Sequence, residues 1–462
     1  MFRRVLVANR GEVAARVIRT LRRLGIGAVA VASEADRELS YLAEADEVVV
    51  LHSPLGPRAY LDQDALLDAA RVTGCTALHP GWGFLAENAV FAARCESRGL
   101  TFVGPRSSTI RRMGDKALAR ETMRARGMGP IPGSDGPVPD AATARRVADR
   151  LGYPVLLKAV SGGGGRGMRR VEGGEGIEAA FDEASAEAAS AFGDGTMYLE
   201  KLVEHARHVE VQVMGAWDGV QHLFERDCSV QRRNQKLIEE APCPVLDRDT
   251  ARAVCERAAR ALSPDARGHG GYLGAGTVES LLAPDGETYF MEANTRLQVE
   301  HTVTEMLTGL DLVELQLKAA ANHPLAELFG EPPRAEGHAI ECRINAEDAW
   351  ADFRPVPGRI ERLVLPEGEG VRVDTHLAQG DRIPPHYDSM IAKVVAHGRD
   401  RDEAIARMDR ALSEMVVDGV PTTIPLHRRI LAHADFRAAR IHTRWLESVL
   451  DDLLASAPEA DR

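Results

Sequence analysis

Residues 4–33 alternate in a way that few folds accommodate. "RVLVA" reads as a strand, "NRGEVAARVIRTLRRLG" as a turn and a helix, and "AVAVAS" as a second strand. Val13, Val17, Leu21 and Leu24 recur at helical spacing, and Gly25 supplies a C-terminal stop. The alternation continues through "EVVVL", "ALLDAARVTG", "CTALHPGWG", "NAVFAARCESRG" and "TFVGP". Strands separated by helices cannot pair as hairpins, so the pattern predicts a parallel sheet with helices on both faces over roughly residues 1–105.

The pattern then changes. "MGDKALARETMRARGM" predicts one helix running into the Pro/Gly-rich "GPIPGSDGPVPD", a natural boundary. Residues near 130–202 predict a small α+β module: helix "DAATARRVADRLG", strand "PVLLKAV", a glycine loop, strand "MRRVE", a helix, and strand "TMYLEKLV". From about residue 204 the strands "HVEVQVMG" and "GVQHLFERDC" are antiparallel in type. Helices, the hairpin "GAGTVESLLAPDGETYFMEAN" and a mixed C-terminal lobe follow. A chain of 462 residues is long enough for two or three well-buried domains.

Composition excludes several function classes. A net charge of −12 argues against nonspecific binding to nucleic acid or anionic membranes. The six cysteines are scattered without a C-x-x-C pair, which fits a reduced cytoplasmic setting better than a disulfide framework or a zinc site. The apolar part of "MFRRVLVANRGE" is too short for a signal peptide, and no run approaches a membrane span.

"KAVSGGGGRGM" contains G-x-G-x-x-G at Gly162, Gly164 and Gly167. A dinucleotide loop must run from a strand into a helix, whereas here the glycines join two strand-like runs. No G-K-[ST] follows, so a Walker loop is excluded as well. Two readings remain: a flexible turn, or a glycine hairpin beside Lys158 that closes its backbone amides over phosphates.

Chemistry concentrates in four other stretches. "MGDK" carries Lys116, and "YLEKLVEHARHVEVQV" puts Glu200 and Lys201 at a strand end beside Val203. His208, Glu210 and Gln212 alternate with valines, so they share one face of a strand. "ERDCSVQRRNQK" is dense in donors. "TVES…YFMEANTRLQVEH" sets Glu279 and Glu292 on two arms of one hairpin, followed by Asn294, Arg296, Gln298 and Glu300 at alternate positions of an extended segment. Carboxylates and an amide are hard oxygen ligands suited to Mg²⁺. A cation, an amide and a carboxylate facing one side beside that metal make an anion site with a base.

Together these motifs resemble the biotin carboxylases of the ATP-grasp superfamily, including the biotin carboxylase subunit of acetyl-CoA and other acyl-CoA carboxylases. The likeness covers almost the whole chain and rests on "HPGWGFLAEN", "MGDK", "KAVSGGGGRGM", "RHVEVQV", "ERDCSVQRR", "MEANTRLQVEH", "ECRINAED" and "PPHYDSMIAKV". It implies a Rossmann-like pre-ATP-grasp domain over 1–112, an ATP-grasp domain over 113–330 with its lid near 130–202, and a biotin carboxylase C-terminal domain over 331–448. It also implies phosphorylation of bicarbonate by ATP with Mg²⁺ or Mn²⁺, giving carboxyphosphate. CO₂ from that intermediate passes to the ureido nitrogen of biotin on a carrier protein, as in fatty acid biosynthesis.

By resemblance, Lys116, Lys158, His208, Gln231 and Asn234 fall at ATP, with Gly163, Gly164 and Gly165 over its phosphates and Glu200, Lys201 and Val203 at adenine. Glu279, Glu292 and Asn294 fall at the metal. Lys236, Arg296, Gln298 and the Val299 amide fall at bicarbonate, with Glu300 as its base. Arg343 and Trp82 fall at biotin, Arg343 supporting carboxyphosphate and then the biotin enolate. Expected partners are a second copy of the chain, a biotin carboxyl carrier protein and a carboxyltransferase subunit, in the cytoplasm.

The sequence also departs from the family pattern. Asn234 stands where His is usual, Trp82 where Tyr is usual, Thr302 where Pro is typical and Val356 where Ser is typical. The segment from Ser263 is longer, with Pro264 and glycines that would interrupt a helix. No A-M-K-M biotinyl motif is present, so the carrier is expected on a separate polypeptide. Two other readings remain at this point: an ATP-grasp ligase that carboxylates a non-biotin acceptor, and a non-catalytic regulatory paralogue.

Overall fold

The computed structural model describes residues 1–160, 168–264 and 271–455. The first unit is the expected parallel sheet. Strands β1 (Arg4–Val7), β2 (Gly27–Ala32), β3 (Glu47–Val50), β4 (Ala77–His79) and β5 (Thr101–Phe102) are ordered β3-β2-β1-β4-β5, every pair parallel. Helix α1 (Gly11–Arg23) covers one face with Val13, Val17, Ile18 and Leu21. Helices α2 (Gln63–Val72) and α3 (Ala89–Ser97) cover the other with Leu66 and Phe91. Both faces are therefore apolar, as a parallel sheet between helix layers requires. Gly25 stops α1 in the left-handed conformation (φ +68°), and the next amide, on Ile26, donates back to the Leu21 carbonyl.

The loop after β4 is pinned at the C-terminal end of this sheet, where open α/β sheets present their sites. The Asn9 amide donates to the carbonyls of Pro80 (2.6 Å) and Trp82 (2.7 Å). Gly81 lies at φ +63°, and a Cβ there would approach the Asn9 amide to 2.8 Å, so this contact needs glycine.

The single helix expected through "MGDK" is two: α4 (Ser107–Gly114) and α5 (Lys116–Ala125). Asp115 divides them, because its carboxylate accepts from the Ala117 and Leu118 amides and caps α5. The small module follows expectation. Helix α6 (Ala141–Leu151), strands β6 (Val155–Ala159) and β7 (Met168–Val171), helix α7 (Ile177–Phe192) and strand β8 (Met197–Lys201) form an antiparallel sheet β7-β6-β8 flanked by the two helices. It has its own core around Val155, Leu157, Ile177, Phe181 and Leu199. Lys158 opposes Met168 across the hairpin. Gly163, Gly164 and Gly165 lie outside the described residues.

The largest element is an antiparallel sheet that positions the site. Its members are β9 (Arg207–Ala216), β10 (Gly219–Arg232), β11 (Gln235–Ala241), β12 (Gly274–Leu282), β13 (Thr288–Asn294), β14 (His338–Asn345), β18 (Val371–Thr375) and β19 (Met390–Gly398). The order is β13-β12-β9-β10-β11-β14-β19-β18, so one sheet joins residues from both sides of position 330. Helix α8 (Arg248–Leu262) packs on β10 and ends before Pro264, as the sequence predicts; residues 265–270 are outside the described set. Helices α9 (His301–Thr308), α10 (Leu312–Ala320) and α11 (Leu325–Phe329) lead to β14. Two small sheets, β15 (Glu347–Asp348) with β16 (Arg354–Pro355) and β17 (Arg362–Val364) with β20 (Val416–Asp418), complete the strands. The last helices are α12 (Arg401–Glu414), α13 (Ile424–Ala432), α14 (Ala434–Arg437) and α15 (Trp445–Ala455). No helix among the described residues is long and apolar enough to cross a membrane.

Candidate active site

A cavity of about 840 Å³ opens between the small module, the central sheet and the C-terminal segment. Strand alternation and cross-strand register build its floor. On β9, His208, Glu210 and Gln212 face one side, while Val209, Val211 and Val213 enter apolar clusters. Glu279 on β12 lies directly opposite Glu210 on one flank and Glu292 on the other. Three carboxylates in adjacent register would repel one another, so cations must be interleaved.

Lys236 is that cation. Its ammonium donates to Glu210 (2.7 Å), Glu279 (3.1 Å) and Glu300 (2.6 Å). Arg226, wholly buried, donates to Glu210 Oε1 (2.7 Å), Gln212 (2.6 Å), Thr304 (2.9 Å) and Gln298 (2.8 Å). Arg343 donates to Glu239 through Nε (2.6 Å) and to Glu300 Oε2 through Nη2 (2.9 Å). Both oxygens of Glu300 thus face cations. Burial alone would raise its pKa, but Lys236, Arg343 and Arg226 together hold it well below the ordinary carboxylate range. Burial likewise opposes the charge on Lys236, and the surrounding acidic groups overcome it and raise its pKa well above normal. Glu300 is an ionised base embedded in fixed positive charge.

The residues of "NTRLQVE" do converge, although 295–300 form an irregular extended segment and turn rather than a strand. Asn294 and Gln298 donate to Glu279 Oε1 (2.8 and 2.7 Å), and Arg296 donates to Asn294 Oδ1 (2.9 Å) and Glu87 (2.8 Å). Glu87 also accepts from the Thr295 amide (2.8 Å), which ties the "FLAEN" loop to this segment.

The end of the cavity where the sequence places the nucleotide residues is formed by the small module. Glu200 is buried and ion-paired with Lys158 and with Arg120 (2.5 Å). Lys201 donates to the carbonyls of Gly152 (2.8 Å) and Tyr153 (3.0 Å), so its side chain braces the module. His208 lies 2.9 Å from Glu279; burial would lower its pKa, and the Glu279 carboxylate more than reverses this. Gln231 and Val203 line the same space. Asn234 and Arg233 form the two-residue turn between β10 and β11, both with positive φ (64° and 48°). Such hairpin turns favour Asn, which accounts locally for Asn234.

Trp82, Lys158, Glu200, Lys201, Val203, His208, Gln231, Asn234, Lys236, Glu279, Glu292, Asn294, Arg296, Gln298, Val299, Glu300 and Arg343 all line this one cavity. Lys116 does not. It is exposed at the start of α5, and its charge weakly opposes the rise in the Glu292 pKa. Residues outside these sequence-derived candidates also contribute: His205, His442, Thr443 and Arg444 line the cavity, with the two imidazoles edge to face at 4.6 Å. Glu87, Arg226 and Glu239 stand behind the lining. The charged "FLAEN" and "ERDC" motifs are the available signal for Glu87 and Arg226. Nothing local marks residues 442–444.

Glu279 and Glu292 offer carboxylate oxygens and are directly opposite in the cross-strand register, and Asn294 has an amide oxygen that here accepts from Arg296. That donor set fits Mg²⁺ or Mn²⁺. Loss of hydration, then the charges of Glu279 and Glu87, push the Glu292 pKa up, the direction an added cation would reverse. His208, Glu210 and Glu279 also bring donor atoms within 4.8 Å of one another, but the Lys236 ammonium already contacts both of those carboxylates.

Comparison with known proteins agrees in every part of the chain. Residues 1–110 match the biotin carboxylase N-terminal domain family and residues 341–448 the biotin carboxylase C-terminal domain family. Residues 115–328 match the ATP-binding domain of the carbamoyl-phosphate synthase L chain family. The biotin carboxylase of Haemophilus influenzae is 47% identical over 97% of this chain and 99% of its own. That of Pseudomonas aeruginosa is 48% identical, again over 97% and 99% of the two chains. The biotin carboxylase domain of Hydrogenobacter thermophilus 2-oxoglutarate carboxylase, solved with MgADP, ADP and bicarbonate, superposes with a TM-score of 0.89 at 43% identity. It covers 99% of this chain and 100% of that one.

Proposed function

The chain belongs to the biotin carboxylase family, and on that premise we propose that it carboxylates biotin on a carrier protein with ATP and bicarbonate. It is an ATP-dependent ligase, and biotin is favoured over another acceptor because the full-length relatives are biotin carboxylases. The observation that carries the chemistry is Glu300 held between Lys236 at 2.6 Å and Arg343 at 2.9 Å.

Lys236, Arg296, Gln298 and the Val299 amide bind bicarbonate, and Glu300 takes its proton. The resulting oxygen attacks the γ-phosphorus of ATP, the bond to ADP breaks, and carboxyphosphate forms. Lys158, His208, Gln231 and Asn234 stabilise the charge spread over the phosphoryl oxygens, with Lys116 joining them when the small module closes. Glu200, Lys201 and Val203 frame the adenine. Glu279, Glu292 and Asn294 hold the metal, which neutralises phosphate charge when bound. Carboxyphosphate is labile in water, so enclosure of the cavity preserves it. Carboxyphosphate breaks into CO₂ and phosphate, the phosphate takes the ureido N–H proton of biotin, and the nitrogen attacks that CO₂. Arg343, a planar guanidinium, supports the enolate oxygen of biotin, and Trp82 borders its ring.

We read residues 1–112, 113–330 and 331–448 as the three domains of this enzyme, with 130–202 as the lid. The small module's separate apolar core supports the last assignment. The partners are a second copy of this chain, a biotin carboxyl carrier protein and a carboxyltransferase subunit, in the cytoplasm.

A coupled ADP-release assay tests this reading. ATP cleavage should require bicarbonate and rise with free biotin. Glu300→Gln should abolish both activities, whereas Arg343→Ala should damage biotin carboxylation more than bicarbonate-dependent ATP cleavage. Bicarbonate-dependent turnover indifferent to biotin would move the assignment to another acceptor. ATP cleavage indifferent to bicarbonate would remove it.

A further inference from the structure

Two buried acids behind Arg343 take no part in the mechanism above. Glu239 on β11 and Glu341 on β14 are directly opposite one another in the antiparallel register, and both are 0% exposed. Opposed residues have Cβ atoms about 4.5–5.5 Å apart on the same face, and two like charges there are destabilising. Glu239 Oε1 accepts from Arg343 (2.6 Å), while Glu239 Oε2 is buried without a hydrogen-bond partner. Glu341 Oε2 accepts from the Thr302 hydroxyl, while Glu341 Oε1 is likewise buried without one. Each acid therefore carries one satisfied and one orphaned oxygen. A buried polar atom without a partner is costly, and two orphaned acceptors need a donor.

One proton satisfies both. We propose that Glu341 is a neutral carboxylic acid whose Oε1 hydroxyl donates to Glu239 Oε2, and that this pair, anchored by Thr302, positions the Arg343 guanidinium against Glu300. The assignment of the proton to Glu341 follows from the surrounding charges. Glu239 is bonded directly to a guanidinium, whose charge opposes the upward push of burial on its pKa, whereas Glu341 has no such bond. Glu341 faces Glu239 on β11, Arg343 on its own strand, Lys393 on β19 and Glu300 ahead of α9. The one ammonium of that set is committed elsewhere: Lys393 pairs with Glu12 (2.8 Å) and donates to the Val299 carbonyl (2.8 Å). Burial first, and the Glu239 charge with it, push the Glu341 pKa well above the ordinary range, against the pull of Lys393.

Thr302 is the link between this pair and the base. It sits two residues after Glu300 in the first turn of α9, so its hydroxyl fastens the start of that helix to β14. A proline there would supply no hydroxyl. Glu341 and Thr302 are positioning residues: they act through Glu239 on Arg343, and the kinetic part of the idea rests on Arg343 serving biotin as argued above.

Infrared spectroscopy and three variants test the pair. The wild-type minus Glu341→Gln difference spectrum at neutral pH should contain a carboxylic-acid C=O band, which an ionised Glu341 cannot give. Gln can donate to Glu239 through its NH₂ and accept from Thr302 through its carbonyl. Glu341→Gln should therefore hold biotin carboxylation within about threefold of wild type with the same pH profile. Glu341→Leu removes the donor and should lower kcat for biotin carboxylation about tenfold while leaving KM for ATP unchanged; Thr302→Val should lower it about threefold. Absence of the acid band, or a Gln variant as damaged as the Leu variant, would overturn the proposal. If the Leu variant does not fold, the band and the Gln profile still decide. Failure of the wild type to use biotin would overturn the functional assignment while leaving the band to report on the pair.

Discussion

Replacing Lys236 with methionine keeps most of the side-chain volume and deletes one charge that three carboxylates share. Stripping a buried charge of its partner costs about 3–5 kcal/mol. Here each acid keeps a second cation: Glu210 keeps Arg226 at 2.7 Å, Glu279 keeps His208 at 2.9 Å and Glu300 keeps Arg343 at 2.9 Å. The stability loss should therefore fall near the lower end, about 3 kcal/mol. The catalytic loss has a different origin, the removal of a preorganised cation from an anion site. It should lower kcat/KM for bicarbonate by roughly 10²–10³.

The variant should also change the acid response. Glu300 has a depressed folded pKa, so its contribution to stability is complete above the unfolded value near pH ~4.3 and is lost as the pH falls through the lower folded value. Lys236 is the largest of the groups holding that value down. Without it the folded pKa rises, stability fades at higher pH on acidification, and the acid limb of bicarbonate-dependent activity moves upward. Coupled ADP release with bicarbonate, followed downward from about pH 8 until activity is lost, reads the second effect, and acid unfolding followed by circular dichroism reads the first. A bicarbonate kcat/KM within about threefold of wild type, with an unmoved acid limb, would refute the claim that Lys236 organises the anion site.

Glu279→Gln or Glu292→Gln should raise the Mg²⁺ concentration needed for half-maximal turnover, and the double variant should be little worse than the worse single one, because one ion is shared. Full additivity in a magnesium titration would contradict a common site. Asn234→His places an imidazole at the phosphate end, so kcat/KM for ATP should rise by up to about tenfold, most at low pH where the ring is charged. Because Asn234 occupies a left-handed turn position, the same change should cost less than about 1 kcal/mol, His being tolerated there; a thermal melt checks it. Arg226→Met should destabilise the fold by about 3–5 kcal/mol, since the buried Glu210 loses a close cation, and a denaturant titration at neutral pH measures it.

Much of this molecule is legible in local pattern. The parallel N-terminal sheet follows from strand–helix alternation, and the strand-like runs on either side of the glycine stretch do pair antiparallel, Lys158 opposite Met168, while the glycines lie outside the described residues. Alternation on β9 places His208 and Glu210 together, and the hairpin pattern puts Glu279 and Glu292 on facing arms. These features depend on neighbours within a few residues, where the periods of helix and strand act directly. The helix break at Asp115 is local too, but a capping aspartate reads in sequence much like any polar residue inside a helix.

Only the tertiary structure decides which charges meet. Lys236 contacts acids from three separate segments, and Glu239 opposes Glu341 across 102 residues of chain because β11 lies beside β14 in the sheet. Residues 442–444 close the cavity from the far end of the sequence. Strand order and register between distant segments are set by which apolar faces bury together, and a shift of one residue would turn every side chain of a strand to the opposite face. That information lies in the packing of the whole core, so the chemistry of the individual residues can be read in advance, and their pairing cannot.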